Sequence, residues 1–217
     1  MKRALNLLPL LIFAPAAVLL PVGIRLSTAD TAASPAFIDV TDAAGISYLG
    51  DTYGLAWGDF DGDGYLDLFA GNHQGTPALY RNNGDGTFSD VLDGSGIGPR
   101  GDRHDSSFVD YDNDGDLDLY ITIGAKGGTG EGPNQLYQND GQGQFTNVAE
   151  EAGVQDNLGR GRGAAWADYD NDGDLDLFIA NAFSENAPNA FFRNNGDGTF
   201  ENIGAEVNLA QYISSFG

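Results

Sequence analysis

The chain has 217 residues, with 10 Lys and Arg against 32 Asp and Glu, a formal net charge of −22. That balance excludes a nucleic-acid binder, which needs a basic footprint, and 41% hydrophobic with 11% aromatic residues excludes a disordered chain. The acid is 26 Asp to only 6 Glu, joined to 32 Gly and 17 Asn, which is the composition of tight turns and short-armed oxygen ligands.

At the N-terminus, Lys2 and Arg3 precede an uncharged Leu/Ala-rich run from Ala4 to Ile24, and small polar residues follow. Residues 1–29 are therefore expected to be a signal peptide cut after Ala29, placing the mature chain in the secreted, periplasmic or cell-surface space. An N-terminal membrane anchor is the rival reading, although Pro9, Pro15 and Pro21 disfavour a long helix. There is no Cys, so disulfides do not restrain the loops, and extracellular calcium is the obvious substitute.

Residues 30–217 form a repeat region, divided at recurring Phe positions into units 37–87, 88–144, 145–199 and an incomplete 200–217. GDFDGDGYLDLF from Gly58, VDYDNDGDLDLY from Val109 and ADYDNDGDLDLF from Ala167 align. Each is followed by LYRNNGDGTF from Leu79, LYQNDGQGQF from Leu136 or FFRNNGDGTF from Phe191, and FIDVTDAAGI, FSDVLDGSGI, FTNVAEEAGV and FENIGAEVNL punctuate the units. A short strand enters each Asp loop and LDLFAGN, LDLYITIG or LDLFIAN leaves it. A third strand and an Asn-Gly-Asp-Gly hairpin complete the unit. Four short strands per unit predict an all-β protein of antiparallel propeller blades, three complete and a fourth begun; no helix of useful length is expected.

The Asp loops read as cation sites. With Asp59 as position 1, Asp61, Asp63 and Asp67 fall at positions 3, 5 and 9, Gly64 at 6, and the Tyr65 carbonyl at 7. Asp110, Asp112, Asp114 and Asp118 repeat this with the Asp116 carbonyl, and Asp168, Asp170, Asp172 and Asp176 with the Asp174 carbonyl. Alternate carboxylates in a loop that folds back at glycine converge on a hard cation, and a short flexible loop suits calcium better than magnesium. Two carboxylates about 5 Å apart repel by roughly 3 kcal/mol at an effective dielectric near 20, so the loop without a cation must splay or take up protons. About three calcium ions are expected. A helical EF-hand is excluded because Ala70, Ile121 and Ile179 stand where its bidentate Glu belongs.

These motifs resemble the FG-GAP/VCBS repeat family, and the FxDVxxxAGI element more narrowly resembles the cartilage acidic protein and ASPIC/UnbV-type branch. The resemblance implies a β-propeller with calcium between the first two strands of a blade, and calcium-dependent extracellular binding or adhesion, with a protein or glycan partner, more often than catalysis. Family propellers close into rings, whereas this chain ends at YISSFG, where a fourth Asp loop is due. The expectation is a truncated reading frame, or self-association of several chains to complete one ring.

Weaker signals carry less. Arg100-Gly101-Asp102 spells an integrin-recognised tripeptide that chance also produces. GAKGGTGEG from Gly124 has the residues of a phosphate loop in the wrong order. His73 and His104, with no second histidine at ligand spacing, read as surface or turn residues. No G-x-S-x-G or H-E-x-x-H occurs, so no catalytic motif supports an enzyme; the alternative function is a propeller lectin or polysaccharide-active enzyme with its site in inter-blade loops.

Overall fold

The computed structural model describes residues 37–46, 50–73, 75–99, 101–124, 132–182 and 188–210. The expected signal peptide, Arg100 and most of the Gly-rich segment after Gly124 lie outside them. The compact unit that carries the repeats is Val40–Gly217.

Among the described residues, twelve strands form three sheets, each a four-stranded antiparallel meander in chain order. The first sheet is β1 (Thr52–Gly58), β2 (Asp67–Asn72), β3 (Ala78–Asn82) and β4 (Phe88–Asp90). The second is β5 (Arg103–Val109), β6 (Asp118–Ile123), β7 (Gln135–Asn139) and β8 (Phe145–Asn147). The third is β9 (Gly161–Ala167), β10 (Asp176–Asn181), β11 (Ala190–Asn194) and β12 (Phe200–Asn202). This is the expected all-β arrangement of three complete propeller blades. In each, the Asp loop connects the first two strands: Asp67 pairs with Gly58, Asp118 with Val109 and Asp176 with Ala167.

The second strand of each blade reads as a nearly continuous apolar run because both of its faces are covered. Strand alternation sends Leu119 and Ile121 one way, onto Phe69 and Leu79 of the first blade, with Tyr137 joining them. Tyr120 and Leu136 go the other way, onto Leu177, Ile179 and Phe192 of the third. The cores thus lie between blades. The first strands β1, β5 and β9 adjoin one another in turn. A Cβ at Gly54 would stand 3.0 Å from the Asp105 backbone, and Trp166 Nε1 donates to Ser107 Oγ at 3.0 Å.

The recurring Phe has a topological reason. It opens the outermost strand of one blade, and the residues after it swing onto the outer edge of the next. Phe88 N–H donates to Ala44 carbonyl (2.8 Å) and Phe145 N–H to Ser95 carbonyl (2.7 Å), so each connector covers an edge that would otherwise be open. Gly96, at φ 89°, is required here, because any Cβ would collide with the Phe145 carbonyl. The sequence unit therefore straddles two blades.

Two local features add detail to this plan. The connector after β8 forms a one-turn helix, α1 (Ala149–Ala152), too short to count as a helix of useful length. Asn147 Oδ1 accepts the Ala149 N–H at 3.1 Å, and Gly153 ends the turn in the left-handed conformation. The Asn-Gly-Asp-Gly segments form the expected hairpins as five-residue loops, closed by Asn83 N–H to Thr87 carbonyl (2.9 Å) and Asn195 N–H to Thr199 carbonyl (3.0 Å). No helix among the described residues is long and apolar enough to cross a membrane.

Candidate metal centres

Each Asp loop is folded by its own carboxylates. At position 1, Asp59 accepts the N–H of Asp63 (3.0 Å) and of Gly64 (2.8 Å), and Asp168 accepts those of Asp172 (3.1 Å) and Gly173 (3.2 Å). Asp110 accepts from Gly115 at 3.2 Å. Those N–H groups turn inward because the backbone reverses at a left-handed glycine, with φ of 91°, 95° and 99° at Gly64, Gly115 and Gly173. At position 5, Asp63, Asp114 and Asp172 each accept the N–H two residues on, all at 2.9 Å, which is an Asx turn.

Position 9 is buried and braces the loop against the rest of its blade. Asp67 accepts the N–H of Phe60 (3.1 Å) and of Asn82 on β3 (2.8 Å). Asp118 does so from Tyr111 (3.3 Å) and Asn139 (2.9 Å), and Asp176 from Tyr169 (3.0 Å) and Asn194 (2.8 Å). Burial, reinforced by neighbouring loop carboxylates, pushes the Asp67 carboxyl up to about 6 and Asp118 up to about 7. Asp61 and Asp112, at position 3, are also raised, first by burial and then by the adjacent position-5 carboxylate.

Positions 1, 3 and 9 converge. Ligand oxygens of Asp59, Asp61 and Asp67 lie within 4.8 Å of one another, as do those of Asp110, Asp112 and Asp118, and of Asp168, Asp170 and Asp176. The position-5 carboxylates are not in these groups; their described contacts are with their own loop. At position 7 the side chains turn away. Asp116 faces Gly141 of its own hairpin, Tyr65 covers Gly84, and Asp174 Oδ1 accepts from Asn113 Nδ2 of the preceding blade's loop (2.7 Å). Only the carbonyls of Tyr65, Asp116 and Asp174 are thereby left for the loop interior.

The donor set fits a hard cation, being all oxygen and mostly carboxylate. In the second loop, Oδ1 of Asp110 and Oδ1 of Asp112 are buried without a hydrogen-bond partner, the condition that a bound cation relieves.

One residue class escapes a reading of the loops alone. Asn139 Nδ2 donates to Leu117 carbonyl in its own blade (3.0 Å) and to Phe60 carbonyl in the first blade's loop (2.7 Å). Asn194 does the same to Leu175 (3.1 Å) and Tyr111 (2.8 Å). The signal was the Asn that recurs at the end of the third strand, in RNN, QND and RNN.

Elsewhere, Asp102 of the Arg-Gly-Asp tripeptide is not presented outward: its side chain is 10% exposed and lies 2.7 Å from His73 Nε2. His104, which reads as a surface or turn residue, is the second residue of β5 and lies beside it.

The chain matches the FG-GAP-like repeat family over residues 59–121, 123–179 and 168–216. Human cartilage acidic protein 1 is 29% identical over 160 residues, 71% of this chain and 23% of that protein, and the mouse protein is likewise 29% identical over 160 residues. The Xenopus tropicalis protein of the same name is 38% identical over 78 residues, 35% of this chain. The chain spans about a quarter of the length of its human and mouse relatives, 23% and 24%. With matched segments over most of its length and three blades built to one plan, the chain belongs to the FG-GAP-like repeat family.

Proposed function

We propose that the chain is an exported calcium-binding propeller module that presents its blade loops to an extracellular protein or glycan, in adhesion rather than catalysis. The observation that carries this is the threefold convergence of carboxylates at positions 1, 3 and 9, with orphaned buried oxygens in the second loop. Calcium supplies the positive charge that lets these carboxylates stay ionised side by side. Asp67, Asp118 and Asp176 couple the ion to the fold, because the same carboxylates hold the third strand's backbone. The Asp loops are thus structural sites. The relatives' name, cartilage acidic protein, joins an acidic chain to an extracellular tissue and supports the export reading.

Thermal melting of the purified chain with millimolar calcium and with chelator tests this. Calcium is expected to raise Tm, and Asp112→Ala to reduce both the rise and the number of ions bound in calorimetry. An unchanged Tm sinks the calcium assignment. Binding to immobilised extracellular-matrix proteins and to a glycan array, each with and without chelator, tests the partner class.

A further inference from the structure

At the opposite end of the blades from the Asp loops, a histidine of the first blade meets an aspartate and a histidine at the entry to the second. β1 and β5 end in Asp loops, whereas His73 follows the end of β2 and Asp102 and His104 stand at the start of β5. A seven-residue strand at about 3.3 Å per residue puts roughly 20 Å between the two ends. The backbone fixes this juxtaposition: His73 and Asp102 form an antiparallel bridge, His73 N–H donates to Asp51 carbonyl (2.8 Å), and Gly124 N–H to Asp102 carbonyl (2.7 Å). Gly124 also leaves the room, since a Cβ there would strike the His104 ring and the Arg162 guanidinium.

We propose that His73, Asp102 and His104 form a second kind of metal site, which takes a zinc-class divalent ion through two imidazole Nε2 atoms and one carboxylate oxygen. Both Nε2 atoms converge on Asp102 Oδ1, at 2.7 Å from His73 and 3.2 Å from His104, and the three ligand atoms lie within 4.8 Å of one another. Ligands about 2.0–2.1 Å from a tetrahedral zinc stand about 3.3 Å apart, so modest side-chain movement admits the ion. Asp102 Oδ1 and His104 Nε2 are buried yet neither has a hydrogen-bond partner, although they are in contact. The Asp102 side chain is nine-tenths buried and the His73 side chain is 24% exposed, so the cluster is walled on one side and reachable on the other.

Tyr53 buttresses the site, edge-on to His73 (4.7 Å between ring centroids) and stacked on His104 (5.6 Å). Nitrogen ligands suit zinc, copper or nickel and are poor for calcium, so the two ends of the blades select different ions. Three protein ligands leave a fourth position open. Arg162, whose Nη1 is buried without a hydrogen-bond partner, offsets the Asp102 charge and would receive an anionic fourth ligand.

The test is a zinc titration of the untagged chain by calorimetry in saturating calcium, which keeps the Asp loops occupied and separates this site from them. One zinc per chain at micromolar Kd or tighter is expected, weakened at least tenfold in His73→Ala and in His104→Ala. Absence of zinc binding, or equal binding in both variants, overturns the proposal. If a variant does not fold, Cu²⁺-loaded wild-type protein decides: nitrogen hyperfine couplings from two imidazoles sustain the site, and their absence overturns it.

Discussion

The first and third blades share strand order, Asp loop and hairpin, yet the same repeat position has a different fate in each. Trp57 on β1 pairs with Leu68, and Trp166 on β9 pairs with Leu177. Trp166 is half-buried: it bonds Ser107, meets Tyr120 edge-on at 5.6 Å and Phe200 at 6.1 Å, and packs on the core between the second and third blades. Trp57 is 56% exposed, with Leu55 and Leu66 exposed beside it. Its described ring contact is with Phe88 of its own blade, and the cluster on that face, Leu68, Ala70, Ala78 and Tyr80, is a small one. A blade's hydrophobic pattern is thus a local property, but what it contributes depends on the blade before it. The third blade has the second to lie on, and no described residue lies on Trp57 in that way.

Substitution should expose this asymmetry. Trp166→Ala removes a ring, its hydrogen bond to Ser107 and aromatic contact with Tyr120 in the second blade, and its contact with Phe200 in its own blade, and is expected to destabilise the chain by about 3 kcal/mol. Trp57→Ala should cost under about 1 kcal/mol, because more than half of the side chain is already in water. Urea unfolding of both variants in calcium measures the difference. Equal losses would mean that the Trp57 face is covered in solution, and sizing at the same concentration would then show a larger species.

A smaller contrast of the same kind lies in the hairpin asparagines. Asn194→Ala strands two carbonyls, Leu175 in its own blade and Tyr111 in the preceding one, and is expected to cost about 2 kcal/mol. Asn82 donates its side-chain amide to Leu66 carbonyl at an exposed position, so Asn82→Ala should cost about 0.5–1 kcal/mol. A ratio near one in matched unfolding curves would remove the inter-blade bond from the account.

Blade architecture and the Asp loops were legible because both are local and repeated: period-two strands, a glycine at position 6 and carboxylates at alternate positions constrain their own neighbourhood. Three things were not. The dual role of Asp67, Asp118 and Asp176 depends on where β3, β7 and β11 fall beside the loop, which spacing does not reveal. The difference between Trp57 and Trp166 depends on the neighbouring blade. The meeting of His73 with Asp102 and His104 depends on a bridge between the exit from one blade and the entry to the next, so linear ligand spacing misses it.

The weakest expected effect compares equivalent position-9 carboxylates in the first two blades. Asp118 is pushed up to about 7 and Asp67 to about 6, both chiefly by burial, against an ordinary value of 3.8. A folded state with the higher pKa binds more protons than the unfolded chain between about 4 and 7, so calcium-free stability should fall as pH rises through that window. Chelated protein is therefore expected to melt a few degrees higher at pH 5 than at pH 7. With calcium the trend should reverse, because protons then compete with the ion for the same oxygens. Asp118→Asn should flatten the calcium-free slope more than Asp67→Asn, whatever each does to Tm itself. If neither changes the slope, the buried carboxylates are ionised throughout this range, and the loops tolerate their mutual repulsion without taking up protons.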